Sequence, residues 1–74
     1  MKKYVFNVIE TIFTPNYDGI VEQSVTEHYI EAIDKLNAKR KARMRVRSFG
    51  FINRLTGGDY HYDYQIKDLR LAAQ

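Results

Sequence analysis

The first long apolar stretch, residues 3 to 13 (Lys-Tyr-Val-Phe-Asn-Val-Ile-Glu-Thr-Ile-Phe), is rich in β-branched and aromatic residues and reads as a strand. Tyr4, Phe6, Val8 and Ile12 fall on one face, and Val5, Ile9 and Phe13 on the other. A strand apolar on both sides belongs at the centre of a sheet or under cover on both faces. The segment Thr14-Pro15-Asn16-Tyr17-Asp18-Gly19 that follows is turn chemistry throughout.

Ser24-Val25-Thr26-Glu27 has the form of a capping box, in which the serine oxygen accepts from the amide three residues on. It predicts a helix from Val25 to about Lys39. Val25, Tyr29, Ala32, Ile33 and Leu36 recur at helical spacing as its buried stripe. From Arg43 to Arg54 the period changes to two: Arg43, Arg45, Arg47, Phe49 and Phe51 alternate with Met44, Val46, Ser48, Gly50 and Ile52. That alternation predicts a second strand with one cationic, aromatic face. Leu55-Thr56-Gly57-Gly58 is a turn, and a third strand runs from Asp59 to about Leu69, with Tyr60, Tyr62, Tyr64 and Ile66 on one face. The plan is a single α+β domain of order β-α-β-β, one helix on a three-stranded, mainly antiparallel sheet.

The hairpin loop sets which face the phenylalanines occupy, because a one-residue slip inverts a strand. A three-residue loop, Thr56-Gly57-Gly58, sets Gly50 opposite Tyr64 and leaves the arginines with Phe49 and Phe51 on the open face. A two-residue loop, Gly57-Gly58, sets Phe51 opposite Tyr64 and makes the phenylalanines core.

Seventy-four residues admit one small core. There is no cysteine, so disulfides, thiolate zinc sites and cysteine nucleophiles are ruled out, and the expected location is cytoplasmic. No apolar run reaches the ~20 residues that span a bilayer, so no membrane role is expected. The formal charge of +3 is mild, but seven basic residues crowd positions 35 to 47, with Asp34 at the edge. Such a cluster favours polyanions.

The octet Arg47-Ser48-Phe49-Gly50-Phe51-Ile52-Asn53-Arg54 resembles the RNP1 signature of RNA-recognition motifs at Arg47, Phe49, Gly50 and Phe51, and departs from it at Ser48 and Arg54. Phe49-Gly50-Phe51-Ile52 is also similar to the cold-shock version of that motif, and Lys3 to Val8 resembles the partner RNP2 strand. The resemblance implies base stacking on Tyr4, Phe49 and Phe51. The family's second helix and fourth strand have no counterpart here, and the likeness covers about 14 residues.

These residues point to a non-catalytic protein that binds single-stranded or irregular RNA or DNA. Arg43, Arg45 and Arg47 would contact phosphates with Lys39, Arg40, Lys41 and Lys67, while Phe49 and Phe51 stack bases. The alternative is a protein-binding module or inhibitor of phage or mobile-element type that uses the same arginine-aromatic surface. Strand 1, apolar on both faces, also admits a homodimer. Asp59, His61 and Asp63 share a strand face about 6.6 Å apart, too widely spaced to share an ion, and no metal or cofactor is expected. Arg45, Arg47, His61 and Tyr62 are the residue types of a RelE-like metal-independent ribonuclease, but the two-helix hairpin of those toxins is lacking.

Overall fold

A computed structural model describes residues 1–56 and 58–72, and the side chains of all of these except 54–56. The chain runs β1 (Lys2–Phe13), β2 (Ile20–Ala32), α1 (Lys35–Thr56) and β3 (His61–Leu71). The class is the expected one, a helix on a three-stranded antiparallel sheet of order β2-β1-β3. The element order is β-β-α-β instead of β-α-β-β.

β1 is the central strand, as its two apolar faces require. Its turn also forms as read. The Thr14 amide donates to Gly19 O (3.1 Å), the Tyr17 amide donates to Thr14 O (2.9 Å), and the Thr14 hydroxyl bonds to the Asp18 carboxylate. This tight loop returns the chain beside β1, with Tyr4 opposite Ile30, Phe6 opposite His28 and Val8 opposite Thr26.

Two expected elements exchange character. The helix over Val25 to Lys39 is instead mostly β2: Ser24 and Glu27 lie inside a strand, and of the forecast stripe only Ala32 is buried. Ile20, Val21, Val25, Thr26 and Ile30 are β-branched, and that composition outweighs the cap signature. The strand expected over Arg43 to Arg54 is helix, together with the eight residues before it. Lys, Arg, Ala, Leu and Met dominate that segment, and all are strong helix formers. Asp34 supplies the true cap: its Oδ1 accepts from the Asn37 amide (2.9 Å) and its carbonyl accepts from Ala38 (3.0 Å). The Arg43–Phe51 alternation is therefore not a two-sided strand, and neither proposed hairpin register exists. Of the turn expected at Leu55 to Gly58, Gly57 lies outside the described residues, while Gly58 has a φ of 67°.

The core sits between α1 and one sheet face. Tyr4, Phe6, Val8, Ile30 and Ala32 meet Ala38 and Ala42, and Val46 of α1 with Tyr64, Ile66 and Leu69 of β3 packs against them. Two fully buried alanines let the helix approach the sheet closely. Further along, Gly50 meets the Tyr64 ring, which a β-carbon there would approach to 3.8 Å. This contact joins helix to sheet and is not the cross-strand pairing expected of a three-residue hairpin loop. On β3 an extra residue enters between Val5↔Arg70 and Asn7↔Lys67, and Asp68 adopts a φ of 58° at this bulge. Among the described residues no helix is long and apolar enough to cross a membrane.

Candidate functional site

Charge is segregated in this fold. α1 carries eight lysines and arginines and no acid, while the rest of the chain has four bases against nine acids. Helical propensity does not account for this distribution. Lys35 and Lys39 stand in the first turns, where the helix dipole disfavours cations, and the acid beside them is the capping residue Asp34.

Helical geometry sorts these cations by direction. Lys35, Lys39, Arg43 and Arg47 follow one another at intervals of four, so they form one ridge with steps of about 6 Å and a total rise of about 18 Å. Phe51 is the next residue on that ridge, 63% exposed. The ridge walls an open groove of about 1210 Å³ between α1 and β3. Val46, Gly50, Tyr64, Ile66 and Leu69 form its half-buried apolar floor. Lys67 and Asp68 line the β3 side, and Tyr17, Tyr60, His61 and Tyr62 gather at one end.

That aromatic end is built by the β1–β2 turn. Tyr17, held at a φ of 58°, stacks on the His61 ring with centroids 4.0 Å apart, and Phe13 packs on Tyr17 from behind at 5.8 Å. His61 Nε2 lies 3.0 Å from Pro15 O, which fixes the imidazole plane. Along the rest of the groove the cations make no ion pair among the described residues. Among the described residues the ion pair is Arg70–Glu27 (3.6 Å), on the other sheet face. The groove's one acid, Asp68, accepts from Asn7 Nδ2 (3.3 Å).

Five of the nine residues singled out in the sequence therefore converge on this groove: Lys39, Arg43, Arg47, Phe51 and Lys67. The other four do not. Lys41 Nζ donates to Glu31 O and Arg45 to Tyr29 O, each at 2.8 Å, so both are fastened to the outer edge of β2. Arg40 is exposed and lines neither this groove nor the smaller one beside β2. Phe49 is half-buried, its ring 5.6 Å from that of His28, which in turn stacks on Phe6. It is packing, not an exposed stacking platform on a shared face with Phe51. The RNP1-like octet is helical over its whole length, so the strand geometry implied by that resemblance is absent, and Tyr4 is buried.

Lys35 and the Tyr60–Tyr62 end are members of the site that the alternation did not reveal. The signal for Lys35 was present as a four-residue interval with Lys39.

The smaller cavity, about 250 Å³, lies between α1 and β2 and includes Glu10, Thr26, His28, Phe49, Asn53 and Tyr64. Asn53 Nδ2 bonds to the Tyr64 hydroxyl and, at 3.4 Å, to Glu10. Burial, and then the hydrogen bond to Glu10, push the Tyr64 phenol up to about 12. Burial, and then the Arg45 guanidinium, push the His28 imidazole below its ordinary value, which favours the neutral ring in contact with Phe6 and Phe49.

Comparison with protein-family models, with curated proteins and with solved structures returns no match.

Proposed function

We propose that this protein binds single-stranded or irregular RNA or DNA, without catalysis, in the groove between α1 and β3. The observation that carries the reading is the ridge of Lys35, Lys39, Arg43 and Arg47, without an ion pair among the described residues and set along an apolar floor that ends in exposed aromatic rings. Phosphates attract cations wherever they lie, but a ridge of four at about 6 Å steps can follow one strand's backbone. The aromatic end supplies the other half of single-strand recognition, since any unpaired base offers a face for stacking. Phe51 and Tyr60 are exposed there, and Tyr17 and His61 already form a stack that a base could extend.

An acidic protein partner would also be drawn to the ridge. The aromatic end favours a nucleic acid, because bases gain from stacking and carboxylates do not. The test is a titration of labelled single-stranded RNA, single-stranded DNA and a duplex at two salt concentrations. Binding to single strands that weakens with salt and with loss of the Phe51 ring supports the proposal. Absence of binding at low salt, or a duplex preferred over both single strands, refutes it.

A further inference from the structure

We infer that the outer edge of β2 pairs with the same edge of a second copy, antiparallel about a two-fold axis at Val25, to make a continuous six-stranded sheet. The direction of the backbone groups follows from two observations. Lys3 O accepts from the Ala72 amide, so odd residues of β1 face β3 and even ones face β2. Tyr4↔Ile30, Phe6↔His28 and Val8↔Thr26 are then the bonded pairs of β1 and β2, which turns odd residues of β2 outward. The side-chain bonds from Arg45 to Tyr29 O and from Lys41 to Glu31 O agree, since both carbonyls are odd and outward.

Those two bonds cap one end of the edge and leave the outward backbone groups of Gln23, Val25 and Glu27 without a partner among the described residues. The other sheet edge is guarded: β3 carries a bulge at Asp68 flanked by Lys67 and Arg70. β2 has no proline, lysine or arginine anywhere from Ile20 to Ala32. Nor is the open sheet face the natural place for a partner. There Lys3 sits over the Tyr29 ring and Glu27 pairs with Arg70, so Val5 is buried within the single chain.

A second copy fits this edge by its own sequence. Centred on Val25, the free stretch sets Gln23 opposite the partner's Glu27, Ser24 opposite the partner's Thr26 and Glu22 opposite the partner's His28. No like charges meet, and the three outward pairs exchange two backbone hydrogen bonds each. The exposed Val25 side chains meet at the axis. A two-fold axis normal to the sheet keeps both helices on one face. The central strands are then three strand spacings, about 14 Å, apart, which accommodates two helices of about 10–12 Å diameter side by side. The α1–β3 groove lies at the far edge of each copy, so this inference is independent of the nucleic-acid reading.

The test combines mass by sedimentation equilibrium with amide exchange of the full chain at low and high concentration. The expected result is a dimer in which the amides of Gln23, Val25 and Glu27 slow by at least about tenfold as concentration rises, while those of Ser24 and Thr26 are already protected by β1. Two lysine variants fix the register. Val25→Lys places two ammonium groups at the axis and should give a folded monomer, whereas Gln23→Lys adds a cation opposite the partner's Glu27 and should tighten the dimer. The loss of the Gln23 Nε2 bond to Thr11 Oγ1 (3.1 Å) is measured separately, as monomer stability by urea unfolding. A monomer at every concentration overturns the inference, as does a dimer whose three outward amides exchange freely, a Val25→Lys dimer, or weakening by both variants.

Discussion

Replacing Arg43 and Arg47 by alanine should change how the affinity for a single strand depends on salt, and the size of the change follows from the groove. Five cations line it: Lys35, Lys39, Arg43, Arg47 and Lys67. If each neutralises one phosphate, log affinity falls with log salt at a slope of about −3.5, roughly a 130-fold loss between 50 and 200 mM. Without the two arginines the slope becomes about −2.1 and the loss roughly 18-fold. Both side chains are exposed on the groove wall and neither makes an ion pair among the described residues, so the fold should be unaffected. Fluorescence anisotropy of a labelled oligonucleotide at four or more salt concentrations, with circular dichroism as the folding control, measures this directly. Arg40→Ala removes the same charge from the same helix but outside the groove, and should leave the slope unchanged. Equal effects of Arg40→Ala and of Arg43→Ala would falsify the groove as the site, since only diffuse helix charge would then matter.

Other consequences can be checked independently. Phe49→Ala should cost roughly 1–2 kcal/mol of stability, because the ring is half-buried against His28, and should leave the salt slope as in the parent; urea unfolding and the anisotropy assay separate the two effects. Gly50→Ala should stabilise by ~0.5–1 kcal/mol through helix propensity, since the added β-carbon meets the Tyr64 ring at an ordinary 3.8 Å, and a loss of stability in the same assay would show the contact to be tighter. Tyr64 should ionise near pH 12, as a step in an ultraviolet titration that Tyr64→Phe deletes. Its folded-state pKa is raised, so the associated stability is fully present below pH 10 and is lost as pH rises towards 12. His28 has the opposite sense: its folded-state pKa is lowered, so stability should decline as pH falls below about 6.5, and His28→Asn should flatten that acid limb in pH-dependent unfolding.

β1, the turn after it and the C-terminal strand were legible because their signals agree: a β-branched and aromatic run in β1, tyrosines at alternate positions in β3, and Pro, Asn, Asp and Gly together in the turn. The middle of the chain gave conflicting signals. In Arg43 to Ile52 an arginine or aromatic at every second position copies a strand, yet the core-facing positions of the helix are Ala38, Ala42, Val46 and Gly50, residues too small to register as a hydrophobic stripe. A helix that approaches its sheet through alanine and glycine hides its own periodicity. In β2 the outward residues are exposed, so burial left little alternation to read. The cluster of positive charge survived the misassigned element because it belongs to the sequence and is independent of conformation. The partition of that charge did not survive, since a strand would hold Arg43, Arg45 and Arg47 together, whereas the helix sends Arg45 to β2 and the other two to the groove.

The sheet order β2-β1-β3 also bears on how the molecule assembles and comes apart. β1 and β2 are joined by a short loop and can zip from their turn, while β3 must find β1 from far along the chain, with Val8 meeting Ile66. Closing that distance is an entropic cost that the intervening helix reduces by shortening the gap. The hairpin is therefore the early, local unit, and docking of the terminal strand is the late, non-local event that creates the cationic cleft. In the folded state the same strand is an edge, as β2 is, and its bulge at Asp68 interrupts its pairing with β1. A ligand bridging α1 and β3 would clasp that segment, so occupancy should appear as slowed exchange along β3 well before any change in the hairpin.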